Sequence, residues 1–232
     1  MGAGGRDGGV VLAWSGGKDA AAALAALRDG DDEVVGLLTT IDRERQRSSM
    51  HGIRRALLDR QAEALGLPVG FVELPRRASN EAYEAAVGAA MAALRDDGIE
   101  AVAYADIHLE DVRDYRERLL EAVGIEGRWP LWGRDTTAHA EAVIDAGFEA
   151  IVVAVDEDRL DRSLVGHRYD RPFLSALPDD VDPAGEDGAF HTFVVDGPPF
   201  ERSVDVSVGE AVTRPVGDGR FRYLDLRPAP SA

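Results

Sequence analysis

The chain has 232 residues, 45% of them hydrophobic, with a formal net charge of −17 and a pI of about 4.6. That is material for one domain, or one domain and a small partner, around a sizeable core; no apolar run approaches the ~18 residues that span a bilayer, so no membrane partner is expected. An acidic surface disfavours nucleic acid, whose binding is dominated by phosphate neutralisation, and with no cysteine there is no disulfide, thiolate metal site or cysteine nucleophile.

Residues 1–9 lack the apolar segment of a secretory signal, and Arg6 breaks the myristoylation pattern. They are expected to be a flexible lead-in, and the protein to be cytoplasmic. From Val10 the chain reads as a strand that stops at Ser15-Gly16-Gly17-Lys18-Asp19, followed by the helix-forming run Ala20 to Leu27. Strand, glycine loop and helix place open backbone N–H groups at a helix N-terminus, where the helix dipole also favours an anion such as phosphate. Gly16 and Gly17 permit positive φ and close approach, Ser15 offers a hydroxyl, and Lys18 a full charge. Lys18 is the only lysine; the other 25 basic residues are arginines. A compact ammonium can follow a moving phosphate as a planar guanidinium cannot. Lys18 is therefore expected to face the ligand, and its removal to leave the fold intact. This is not a Walker A loop, which needs glycine at position 12 and serine or threonine at 19; the chain has Leu12 and Asp19.

A second strand is expected over Glu33 to Thr40. The stretch from Arg43 to Arg55 follows, with five arginines and His51. It falls at the carboxyl edge of the sheet, where α/β folds bind ligands. Met50, His51 and Gly52 are read as part of the site; the arginines either meet an anion or pair with surface acids. A helix over Gly52–Gly66 carries Leu58, Ala62 and Leu65 on one face. Strand Val69–Leu74, a helix from an N-cap at Ser79 to about Arg95, strand Ala101–Ala105 and the charged helix Leu109–Val123 come next. Asp106 ends the fourth strand. It either holds Mg²⁺ on phosphate oxygens, binds a ribose or amine, or caps the next helix. Helix Thr136–Ala146 and a fifth strand, Ala150–Val155, complete an alternation that predicts a parallel sheet covered on both faces.

Beyond Val155 prolines recur and the strand candidates are short: His191–Val195, Arg202–Val208 and Phe221–Leu226. Asp156-Glu157-Asp158 reads as a solvated turn. The expected division is a nucleotide-binding domain over 10–130 and a smaller substrate domain over 131–232. Gly185-Glu186-Asp187-Gly188-Ala189-Phe190-His191 concentrates acids, glycines and an imidazole in one turn, able to hold a metal-bound phosphate or an amine. His139 and His167 show no metal spacing and are read as structural. The acid excess with a single lysine suits either concentrated salt or a GC-rich genome, which depletes lysine.

Six segments together resemble the diphthine–ammonia ligase-like ATP-binding proteins of the PP-loop (N-type ATP pyrophosphatase) superfamily: SGGKD at 15–19, MHGIR at 50–54, YADI at 104–107, PLWGRDT at 130–136, AGF at 146–148 and GEDGAFHTF at 185–193. The resemblance implies an α/β fold, a parallel-sheet HUP-type (Rossmann-like) nucleotide-binding domain with a smaller α+β C-terminal domain. It implies an ATP-dependent ligase that activates a carboxylate as an acyl-adenylate, releases pyrophosphate and transfers the acyl group to ammonia. In the named family the carboxylate is that of diphthine on elongation factor 2. By position, Ser15, Gly16, Gly17, Lys18 and Asp19 would bind ATP beside Met50, His51 and Gly52. Lys18, Asp106, Glu186 and His191 would be catalytic, with Mg²⁺ on Asp106. A homo-oligomer is compatible. Two positions depart from the family pattern: Ala20 replaces a serine and Ala189 a glutamate. The alternatives are a related ligase acting on a small metabolite, and a regulator that binds ATP or AMP without turnover.

Overall fold

The structure is a computed structural model that describes residues 8–76, 78–217 and 219–230. The lead-in expected over 1–9 lies, for residues 1–7, outside the described residues.

The first part of the chain alternates strands and helices: β1 (Val10–Ala13), α1 (Lys18–Asp29), β2 (Val34–Asp42), β3 (Arg47–Ser48), α2 (Arg55–Leu65), β4 (Val69–Leu74), α3 (Asn80–Asp96), β5 (Ala101–Ala103), α4 (Glu110–Glu121) and β6 (Glu126–Arg128). Local chemistry sets several boundaries. Gly66 ends α2 in the left-handed region at φ 67°, which costs glycine nothing. The Ser79 hydroxyl caps α3 by accepting from the Ala82 amide. The strands β4, β2, β1, β5 and β6 pair in that order, all parallel. Helices cover both faces: α3 and α4 bury Val87, Met91 and Leu120 against Val72 and Val102, while Leu24, Leu57 and Leu58 of α1 and α2 pack on the other side.

The second part contains α5 (Thr136–Asp145), β7 (Glu149–Asp156), α6 (Arg171–Ser175), β8 (Phe190–Asp196), β9 (Val206–Val216) and β10 (Gly219–Pro228). Its four strands form an antiparallel sheet of order β8-β7-β10-β9. Two expectations are corrected here. The fifth parallel strand is β6, not the apolar run at 150–155. β6 is three half-exposed or exposed residues, Glu-Gly-Arg, with no apolar signature. The 150–155 run is apolar because β7 is an inner strand of the second sheet. The strand expected from Arg202 starts at Val206 and continues to Val216; its outer half is exposed, so no hydrophobic alternation marks it. One continuous core joins the two sheets, from Leu12 and Leu58 to Val155, Phe173 and Phe193.

β3 positions the arginine-rich stretch. β2 gives one edge to β4 over Leu37–Asp42 and the other to β1 only as far as Leu38. β3 takes the vacated part of that edge, pairing Ser48 with Ile41 and Arg47 with Asp42. The chain from Ser49 to Gly52 therefore folds back past the end of β1. Asp225 of β10 clamps it there, accepting from Arg47 Nη2 at 2.7 Å, Arg54 Nε and Nη2 at 2.9 and 2.8 Å, and Arg227 Nε at 3.0 Å. The hydrogen bonds of Arg54, then those of Arg47 and Arg227, hold the Asp225 carboxyl well below the usual carboxylate range against the opposing effect of its partial burial.

A carboxyl depressed in the folded state stabilises above its unfolded pKa of ~3.9, and that contribution fades as the pH falls further. Asp225→Asn is expected to cost about 2 kcal/mol at pH 7, a fall of roughly 4–8 °C in Tm. The gap from the parent should narrow in melts below about pH 4. A gap as large at pH 2 as at pH 7 would mean the charge does not hold the loop.

Candidate active site

The loop between β1 and α1 is fixed from three sides by groups far apart in sequence. Trp14, buried, donates from Nε1 to Gln61 Oε1 at 2.9 Å and accepts at its carbonyl from Thr39 Oγ1 at 2.7 Å. Gln61 is fully buried at 0% exposure on α2. Its amide donates to the carbonyls of Gly16, at 3.0 Å, and Val194 of β8, at 2.7 Å. The Val194 amide in turn donates to the Gly16 carbonyl at 2.9 Å, and Thr192 Oγ1 accepts from the Lys18 amide at 3.1 Å. The glycine loop is thus laced to the second sheet. Gly16 has φ +82°, and a Cβ there would lie 2.8 Å from Gln61 Oε1, so this position admits no side chain. Gly17, the N-cap, has no side chain to cap the helix, and its own amide donates to Ser15 Oγ at 3.2 Å. Beyond the Gly17 and Lys18 amides, the start of α1 is left open toward an anion.

Lys18 is not where its sequence position placed it. Its side chain is only 2% exposed. The ammonium binds both Asp19 oxygens, at 2.9 and 2.8 Å, and donates to the Ala184 carbonyl. It lies 5.1 Å from the centre of the Tyr169 ring and 5.6 Å from that of Phe190. The expectation of an exposed lysine is therefore corrected. The residues that enclose it come 151 or more positions later in the chain, from the second part, and no local pattern predicts them. His139, read as structural, also reaches this cluster: its Nε2 lies 2.9 Å from Asp19 Oδ1, and its Nδ1 is buried without a partner. Burial works to raise the Asp19 pKa, but the Lys18 charge and the His139 hydrogen bond outweigh it and hold the carboxyl at about 2.

His51 and His191 meet over the loop, ring centres 4.4 Å apart. A Cβ on Gly17 would come 3.4 Å from His51 Nε2, so the imidazole borders the glycine directly. His191 continues into Phe221, centre to centre 6.2 Å, and Phe221 into Tyr223, 6.1 Å. Burial, then the neighbouring His191, pushes His51 well below 6.5; burial, then Lys18, lowers His191 to about 4. Both rings are neutral at pH 7, each able to take a proton.

Asp106 and Glu186 stand together on the β5 side. Glu186 Oε1 accepts from the amides of Ile107, at 2.6 Å, and His108, at 3.3 Å, tying its turn to the end of β5. Arg116 Nη2 lies 3.1 Å from Asp106 Oδ1, while Asp106 Oδ2 and Trp129 Nε1 are both buried short of good hydrogen-bond geometry, the indole N–H still near enough to work against the rise of the Asp106 pKa. Burial raises both carboxyls, and each feels the other's charge or that of Asp19. One buried carboxylate oxygen, with only the indole N–H of Trp129 near it, fits a Mg²⁺ that takes its other ligands from phosphate and water. Among the described residues no group of three or more His, Asp or Glu could hold a metal alone. Met50, by contrast, is 62% exposed and points away from the loop's interior partners. Ala189 is fully buried; of the turn's two carboxylates, Asp187 pairs with Arg159 and Glu186 faces the end of β5.

Residues 8–127 match the family model described as the diphthamide synthase N-terminal domain, and residues 135–217 the one described as the diphthamide synthase C-terminal domain. No curated protein sequence matches the chain.

Two outcomes follow from the enclosed charges. Lys18→Met leaves Asp19 in its partly buried site with only His139, so it is expected to cost about 3 kcal/mol without any ligand, read by thermal melts. Lys18→Arg should not restore it, because a planar guanidinium does not fit between the two rings. Because His51 and His191 are depressed, the unfolded chain binds more protons than the folded one between about pH 4 and 6.5. Stability should fall as the pH drops through that window, and the ring protons of both should keep neutral chemical shifts by NMR down to about pH 5.5.

Proposed function

The chain belongs to the diphthamide synthase family, and from that premise we propose that it is an ATP-dependent ligase that forms AMP, converting a carboxylate to its amide with ammonia. The acceptor we propose is diphthine on elongation factor 2. The observation that carries this reading is the start of α1 behind a side-chain-free Gly16-Gly17 turn, where Thr192 holds only the Lys18 amide and the next amides of the first turn stay open, a cradle for the pyrophosphate of a cleaved nucleotide.

The reaction has two displacements. A carboxylate oxygen attacks the α-phosphorus of ATP, the bond to the β-phosphate oxygen breaks, and pyrophosphate leaves from the loop of Ser15, Gly16 and Gly17. Ammonia then attacks the acyl carbon, the bond to AMP breaks, and the amide forms. Open amides at the helix start stabilise charge as it develops on the departing group. The neutral imidazoles of His51 and His191, beside Gly17, are suited to accept a hydrogen bond from the incoming ammonia and orient it; with their pKa values held low they are weak bases, and the proton that ammonia loses passes to water. Asp106 Oδ2 would hold Mg²⁺, whose chemistry is to neutralise phosphate charge. Lys18 acts through position: it sets Asp19 and binds the second sheet over the loop.

A nucleotide-binding regulator without turnover is the second reading. The engagement of the only ammonium with protein partners favours it. Incubation with ATP, Mg²⁺, ammonium and diphthine-bearing elongation factor 2 separates the two. AMP and pyrophosphate in equal amounts support the ligase; ADP rejects it; tight ATP binding without product supports the regulator. In the ligase, His191→Ala is expected to lower amide formation by ~100-fold or more with the Kd for ATP retained.

A further inference from the structure

Beside the nucleotide loop, on its β2 side, a separate cleft of about 650 Å³ opens between the 42–52 stretch and the β9–β10 pair. Its chemistry runs against the rest of the molecule. In a chain of net charge −17, it is lined by five arginines, Arg45, Arg47, Arg76, Arg214 and Arg227, and by three carboxylates. One of those, Asp225, is already shared among Arg47, Arg54 and Arg227. Another, Asp42, turns an oxygen to the amides of Glu44 and Arg45. Arg45, Arg76 and Arg214 have no ion-pair partner among the described residues. Burial, then the charges of Arg45 and Arg47, lowers the Arg214 pKa, and the nearby Tyr223 and Asp225 offset this only in part.

The walls are as unusual as the charge. Of the four exposed large apolar side chains among the described residues, three, Met50, Val212 and Val216, line this cleft. Tyr83 and Tyr223 line it too. Arginine, tyrosine and methionine around an exposed apolar strip are the composition of protein–protein contact surfaces, and solvent-exposed apolar clusters of this kind mark interaction sites. β9, which carries Val212, Arg214 and Val216, is also the outer strand of its sheet, with an edge free to pair.

We propose that this cleft docks an extended, acidic segment of a partner protein, its carboxylates on Arg45, Arg76 and Arg214 and its apolar side chains against Met50, Val212 and Val216. A like-charged surface surrounds the cleft, so a partner that is acidic only at this segment is guided to it and a generally acidic one is repelled. The ring series Tyr223, Phe221, His191, His51 connects the cleft to the glycine loop, so a docked segment lies beside the nucleotide loop. The inference concerns what docks there and stands whether or not that partner carries the acceptor.

The test uses the full chain and a fluorescein-labelled short peptide alternating aspartate with valine or leucine, read by anisotropy at physiological ionic strength. Binding is expected, weakening as salt is added, with amide exchange slowed in residues 206–216. Arg45→Glu with Arg214→Glu should weaken it by at least ten-fold. The milder Arg45→Gln with Arg214→Gln should give an intermediate loss, and ATP binding should be unchanged in both variants. All these side chains lie at the surface, and melts verify that the variants fold. The proposal is overturned if the peptide does not bind, or if the charge-reversed protein binds it equally. It is also overturned if light scattering shows a dimer that Val212→Glu dissolves, which makes the face a contact between copies of this chain.

Discussion

The side-chain amide of Gln61 is the constraint on which the rest of the site depends. It satisfies Trp14, Gly16 and Val194 at once, in complete burial. A glycine turn with positive φ is conformationally free on its own; here each carbonyl that would let it flex is spoken for. Because one of those partners belongs to β8, the loop's shape and the seating of the second sheet are a single structural fact. The cost of an unmade buried hydrogen bond, about 1–3 kcal/mol each, applies to both together.

Electrostatics divides the site into two regimes around that loop. Below it, Lys18, Asp19 and His139 form an enclosed set in which the charges satisfy one another. Above it, His51 and His191 are stripped of charge by burial. The loop is thus bordered by helix amides and neutral imidazoles, while the ammonium beneath it is enclosed by protein groups. The carboxyls of Asp106 and Glu186 close the β5 side, raised by burial but still anchored by Arg116 and by backbone amides.

The arginine-rich stretch gains its meaning from β3. Two residues pairing with the end of β2 turn His51 inward to the loop and Met50 outward to the arginine-lined cleft. The same turn therefore serves two surfaces. Gly52, at φ +69° with a Cβ position 3.1 Å from the Tyr223 ring, is where the stretch packs against β10, and the Asp225 clamp locks it.

Much of this was legible from residue order alone. The run Val10–Ala13, the Ser15-Gly16-Gly17 turn and the alanine-rich helix after it are set by local propensity and periodicity, and so are α2, α3 and α5 with their caps. The alternation of apolar strands and helices predicts a parallel sheet because both faces must be covered. What local pattern cannot encode is which distant group reaches a given side chain. β6 pairs through its backbone and carries no apolar signal, so it escaped notice while β7, apolar for a different sheet, took its place. Lys18 looks like an exposed cation until Ala184, Tyr169 and Phe190 are brought around it, and His139 shows no partner until it meets Asp19. Tertiary structure alone decided their surroundings, because burial and ion pairing depend on neighbours far away in sequence, whereas helix and turn chemistry depends on neighbours a few residues away.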